Sequence, residues 1–143
     1  MWAYVDTTAL MKRYVDDLGR RQVQKLLLHH DCVTSALVSV EISSALSQRV
    51  SERVLDVSRV SEILERVAGD RAYWTILAVG ADVLRDAEEL TSAHPLSATG
   101  AIHVASAKLF AARLSAPDLV FVSADEARTE AAEAIGLVSR HVG

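Results

Sequence analysis

The chain is predicted to be an α/β protein, with a central, mainly parallel sheet covered by helices on both faces. Short apolar runs alternate with helical stretches along its length, the order that a parallel sheet requires because each return to a parallel neighbour needs a crossover. The strand candidates are continuous apolar runs, as in strands buried on both faces. Two of those runs end near acids: Trp2 to Val5 is followed at once by Asp6, and Leu119 to Val122 is followed by Ser123, Ala124 and Asp125. In open sheets of this kind, sites form outside the carboxyl ends of the strands.

Each element has a local reason. Trp2 to Val5 reads as a short buried strand. Thr7 or Thr8 can cap a helix to about Asp17, with Leu10, Met11, Tyr14, Val15 and Leu18 at helical spacing. Gly19 breaks that run, and a second helix follows from Arg20 to His30. Cys32 to Thr34 is β-prone. Glu41 lies in a helix from Leu37 to Val50, and a charged amphipathic helix is expected over Asp56 to Gly69. Trp74 to Val79 reads as a strand and Asp82 to Ala93 as a helix. After His94-Pro95, Ser97 opens an alanine-rich helix to Leu114. Leu119 to Val122 is a strand, Glu126 to Ile135 a helix, and Leu137 to Ser139 a final strand.

The length of 143 residues suits one domain, 1–143, with a full core. Half of the residues are hydrophobic, which argues against disorder. The opening Trp-Ala-Tyr-Val-Asp lacks the basic segment and long apolar core of a signal peptide. No apolar run is long enough to cross a bilayer, so a cytoplasmic protein is expected. The lone Cys32 can form neither an internal disulfide nor a cysteine-rich zinc site, and its neighbours read as core. A net charge of -4 is not the footprint of a tight duplex binder. It is compatible with a nuclease, whose site is acidic. Lys12, Arg13, Arg20, Arg21, Lys25, Arg49 and Arg53 could hold a phosphate backbone or simply face solvent.

Three acids stand out. Asp6 and Asp125 could be ordinary turn or cap residues at strand ends. Glu41 sits between Val40 and Ile42 in a helix almost free of charge from Ala36 to Gln48. Facing inward, it would need a partner or a metal to offset desolvation; otherwise it shares a polar face with Ser44. Carboxylates gathered from distant segments suit a hard cation such as magnesium, which can activate water and stabilise a leaving oxygen. An aspartate-nucleophile phosphatase fits poorly, since Thr8 stands where that class has a second acid. The surroundings of His103 read as those of a hydrogen-bonded structural histidine, and Trp2 and Trp74 read as core.

In order and spacing, Tyr-Val-Asp-Thr-Thr-Ala-Leu, Val-Glu-Ile-Ser-Ser-Ala-Leu, Gly-Ala-Ile-His-Val-Ala-Ser-Ala and Phe-Val-Ser-Ala-Asp, with Glu-Ala-Ile-Gly-Leu after it, resemble PIN-domain ribonucleases of the VapC toxin type. The resemblance covers nearly the whole chain. It implies a three-layer α/β/α fold and RNA cleavage dependent on Mg2+ or Mn2+. It implies a VapB-like antitoxin that covers the site, and a homodimer. By position, Asp6, Glu41 and Asp125 match the acidic metal ligands, while Thr7 and Ser123 match supporting polar residues. In the resembling toxins the early helices bind the antitoxin's helical tail, so Leu10, Tyr14 and Leu18, with Leu46 and Val50, could line a partner groove instead of the core.

Gly100 departs from the pattern, which has Asp there, followed as here by Ala101, Ile102 and His103. With Ser97 as N-cap, position 100 is N3, where an acid favours the helix. Glycine costs about 1 kcal/mol relative to alanine in a helix interior, less near an end. Two explanations stand: a naturally degenerate position, or an inactivating substitution in a toxin that harms its host. A single nucleotide converts an Asp codon to Gly, and the second explanation is preferred. Impaired cleavage is expected either way. The alternative function is a degenerate domain that binds antitoxin or RNA without cutting.

Overall fold

The computed structural model describes residues 1–15 and 17–143. In it a five-stranded, all-parallel sheet carries strands β1 (Trp2–Val5), β2 (Asp31–Ser35), β3 (Thr75–Leu77), β4 (Val120–Ser123) and β5 (Val138–His141), in the order β3-β2-β1-β4-β5. Among the described residues, seven helices connect and cover them: α1 (Thr7–Tyr14), α2 (Arg20–His29), α3 (Val38–Ser51), α4 (Ser58–Arg71), α5 (Ala81–Ala93), α6 (Ala98–Arg113) and α7 (Glu126–Ala134). The expected α/β class and three-layer arrangement are borne out.

The pleat divides the core in two. On β1, Ala3 and Val5 face a cluster built from α1 to α4, including Leu10, Val23, Leu26, Ile42, Leu46 and Ile63. Tyr4 faces the opposite cluster, with Phe121, Val83, Leu90, Val104 and Ala105. Successive side chains point to opposite faces, so a continuous apolar strand serves both layers. Buried alanines such as Ala101 and Ala105 give α6 its close approach to the sheet side of its layer. Cys32 is core as expected; Trp74 packs against the first cluster, and Trp2 meets Phe110 edge-on with ring centroids 5.2 Å apart.

Most boundaries fall within two residues of those expected, but α1 is a correction. It ends at Tyr14, not at Asp17, and its cap is Asp6, not Thr7 or Thr8. The expected C-terminal end crosses Asp16, which lies outside the described residues. Leu18, assigned to the buried stripe, is 81% exposed. Gly19 follows in a left-handed conformation, φ +87°, where a Cβ would stand 2.9 Å from the Gly143 nitrogen. The proposed groove residues Leu10, Tyr14 and Leu46 are instead fully packed in the core. At the other end, α7 closes on Gly136 at φ +90°: Gly136 N–H donates to the Glu133 carbonyl at 2.9 Å and Leu137 N–H to Ala132 at 3.0 Å. This is a Schellman closure, which favours glycine at that point.

The strand order reverses between β1 and β4. The chain moves outward from β1 through β2 to β3, then returns to the other side of β1. Such a switch point opens a crevice at the carboxyl ends of the two central strands. Asp6 follows β1 there, and Ser123 to Asp125 leave β4 beside it.

Candidate active site

Asp6 is held there by both backbone and side chain. Its N–H donates to the Val122 carbonyl at 3.0 Å, extending the β1–β4 ladder by one bond. Its carboxylate then turns to start α1. Oδ1 accepts from Ala9 N–H at 3.0 Å and from the Thr8 hydroxyl at 2.7 Å. Oδ2 accepts from the Ser123 hydroxyl at 2.6 Å and from Arg128 Nη1 at 2.9 Å. A carboxylate has roughly four lone-pair directions, and here each oxygen receives two donors. The residue is fully buried.

The supporting hydroxyls are themselves fixed. Thr8 Oγ1 accepts from Ala124 N–H at 2.9 Å, and Ser123 Oγ accepts from Asp125 N–H at 3.0 Å. Ser123 thus links Asp6 to the backbone at Asp125. Thr8, read from the sequence only as a candidate cap, ties α1 to the end of β4.

Glu41 reaches the same side of the sheet from α3 and resolves the question of its orientation: it is half-buried, not on a solvent face. The Thr7 hydroxyl donates to Oε1 at 2.8 Å, and His103 Nε2 lies 2.6 Å from the same oxygen. His103 is fully buried, with Nδ1 2.9 Å from the Tyr4 hydroxyl. Burial pushes the Tyr4 phenol pKa well above its ordinary value, so it keeps its proton. It donates to Nδ1, and Nε2–H donates to Glu41. Burial alone would raise the Glu41 pKa; the hydrogen bonds from His103 and Thr7, with the positive charge of Arg128, outweigh it and hold the carboxyl below its ordinary range. His103 is hydrogen-bonded as expected, and its partner is a candidate site residue 62 positions away.

Asp125 caps α7, accepting from Arg128 N–H at 3.3 Å, and its side chain is 44% exposed. One helical turn on, Arg128 bends back into the crevice. Its side chain is 8% exposed, with Nη1 on Asp6 and Nε 3.6 Å from Asp125 Oδ2. Nε is buried and makes no hydrogen bond. Gly100, at N3 of α6, donates its N–H to Ser97 Oγ at 3.1 Å. A Cβ there would stand 3.0 Å from Arg128 Nε and 3.5 Å from its Cγ. The sequence reading missed Arg128; its one local signal was the three-residue spacing from Asp125, which puts both on one helix face.

Asp6 and Asp125 therefore meet at a shared guanidinium, and Glu41 is fixed separately by Thr7 and His103. A divalent cation of the kind the resemblance implies needs free carboxylate oxygens. In this arrangement the residues do not fit one: both Asp6 oxygens are engaged, and a buried positive charge already stands beside them. Among the described residues, no group of three or more His, Cys, Asp or Glu side chains is arranged to hold a metal ion.

No protein-family model and no curated protein sequence matches the chain. Solved structures do. FitAcB from Neisseria gonorrhoeae aligns with a TM-score of 0.70 over 96% of this chain and 95% of its own, at 16% identity. The chain has a PIN-like fold. A toxin–antitoxin complex from Klebsiella pneumoniae matches with a TM-score of 0.62 over 86% of each chain, at 17% identity. PAE2754 from Pyrobaculum aerophilum matches at 0.63 over 97% of this chain and 83% of its own, at 20% identity. At these identities the likeness is one of fold, and at that level it bears out the resemblance read from the sequence. No helix among the described residues is long and apolar enough to cross a membrane.

Proposed function

We propose that this chain is a toxin of the toxin–antitoxin kind: a PIN-like endoribonuclease domain, neutralised by a cognate VapB-like antitoxin, whose cleavage is strongly impaired in this sequence. One observation carries the reading: Asp6, at the switch point of a PIN-like sheet, is saturated by donors that include Arg128 Nη1 at 2.9 Å. The likeness in fold to a toxin–antitoxin complex supports the antitoxin partner. Homodimerisation and a place in the cytoplasm belong to the same reading.

The reaction is hydrolysis of an RNA phosphodiester. Mg2+ or Mn2+ would supply water activation in an intact centre of this type, but with Asp6 occupied by Arg128 this chain's carboxylates do not provide for it. What the chain retains is an oriented Glu41, held by Thr7 and His103, and an accessible Asp125. Residual cleavage depends on these two.

The same ion pair favours a second reading, in which the domain binds antitoxin or RNA and cuts nothing. Incubation of total RNA with the chain and with Glu41→Gln, with and without Mn2+, separates the two. Weak, Mn2+-dependent cleavage that Glu41→Gln abolishes supports the impaired ribonuclease. RNA binding indifferent to divalent metal, with no cleavage, supports the binding module. Cleavage undiminished in Glu41→Gln would contradict the site assignment.

A further inference from the structure

We propose that Arg128 is a resident cation that takes the place of a divalent metal in this crevice, and that Gly100 is the socket that admits it. The inference concerns the chain's own charge balance and stands whether or not the protein pairs with an antitoxin.

Three observations converge. Gly100 is helical and lies outside the positive-φ glycines Gly19, Gly136 and Gly143, so its backbone does not call for glycine. What calls for it is space: the nearest atoms to a Cβ there are Arg128 Nε at 3.0 Å, Ser97 Oγ at 3.1 Å and Arg128 Cγ at 3.5 Å. A side chain at position 100 requires the arginine stem and the Ser97 hydroxyl to give by a few tenths of an ångström.

Second, Arg128 is placed as a counter-ion. It contacts both Asp6 and Asp125, the two acids at the ends of the central strands, and it is almost wholly withdrawn from water. A buried guanidinium needs an acidic partner, and a buried carboxylate needs hydrogen-bond donors or a positive charge to offset its desolvation. Arg128 and Asp6 meet this need for each other.

Third, the guanidinium is not fully used. Nε is buried without a hydrogen bond and stands 3.6 Å from Asp125 Oδ2. A guanidinium selected only for hydrogen bonding would present its donors in a fork to one carboxylate. Here it is spread between two acids from different strands, which is what a central positive charge does. Gly100 and Arg128 thus form a matched pair, one position without a side chain and one guanidinium that fills its space. A matched pair favours a naturally degenerate position over a lone inactivating change at Gly100.

Mn2+ binding tests this without reference to catalysis. The unsubstituted chain, Asp125→Asn, and the double variant Gly100→Asp/Arg128→Leu are titrated with Mn2+ and followed by the electron paramagnetic resonance of free Mn2+ and by thermal melting. The unsubstituted chain is expected to take up no more Mn2+ than Asp125→Asn, with an unchanged melting temperature. The double variant is expected to hold one Mn2+ and, at about 100 times its Kd, to melt about 10 °C higher than without metal. If it folds only with Mn2+ present, that also supports the proposal. Stoichiometric Mn2+ uptake by the unsubstituted chain, lost in Asp125→Asn, would overturn it however the double variant folds. So would a folded double variant indifferent to Mn2+.

Discussion

A Cβ at Gly100 would stand 3.0 Å from Nε of Arg128, closer than side chains ordinarily pack. Restoring an acid at position 100 therefore does not by itself restore a metal site. In Gly100→Asp the new carboxylate lies against the arginine and pairs with it. That variant is expected to fold with stability within about 1 kcal/mol of the parent, since gains at N3 of α6 offset the crowding. Urea denaturation checks this, and a loss several times larger would show that the arginine cannot adjust.

Removing either partner of the buried pair should be costly. Asp6 is fully buried and the Arg128 side chain is 8% exposed, so each leaves the other's charge without its principal partner. Arg128→Leu is expected to lose about 3–5 kcal/mol. Asp6→Asn should lose at least about 2 kcal/mol, because the amide keeps a cap acceptor but leaves the guanidinium held by Asp125 alone. A change below about 1 kcal/mol for Arg128→Leu in chemical denaturation would mean that the guanidinium is not buried as described.

The Glu41–His103–Tyr4 chain predicts an acid limb in stability. The folded pKa of Glu41 is depressed below its unfolded value. Its contribution is thus fully present above the unfolded glutamate pKa of about 4.3 and is lost as the pH falls through the folded pKa. Asp70, paired with Arg13 at 2.7 Å and with the Tyr14 hydroxyl at 2.8 Å, is depressed chiefly by Arg13 and adds to the same limb. Glu41→Gln and Asp70→Asn should each flatten the fall in stability below pH about 4. Melting temperature against pH measures this, and an unaltered acid limb in both variants would contradict the two networks.

Cys32 should be inert. The residue is 6% exposed, and burial pushes its thiol pKa up to about 12. At pH 8 the thiolate, which is the nucleophilic form, is then a fraction of about 10⁻⁴. Iodoacetamide is expected to modify the native chain far more slowly than the urea-unfolded one. Equal rates would show that β2 opens readily.

The sheet was legible because its signals are local. Trp2 to Val5 is an unbroken apolar run ended by an acid, and the strand occupies those residues. The end of α1 was not, because Val15 and Leu18 continue the helical spacing after the helix has stopped; the stripe predicts a helix that Val15 leaves in an extended conformation. Within the site, Asp6, Thr7 and Ser123 could be read from their places beside β1 and β4. Arg128 could not, since its partner Asp6 is 122 residues away and an arginine on an otherwise polar helix looks like solvated surface. The burial of Glu41 was undecidable for the same reason: with no base within a turn, its partners come from α1 and α6.

The most direct measurement is Mn2+-dependent cleavage of total RNA by four proteins at equal concentration: the parent, Gly100→Asp, Arg128→Leu and the double variant Gly100→Asp/Arg128→Leu. Cleavage is predicted to be weak or absent in the parent and in both single variants, and restored only when the acid is returned and the arginine removed together. Full cleavage by Gly100→Asp alone would contradict the account, because it would show that the guanidinium of Arg128 does not stand in the metal's way.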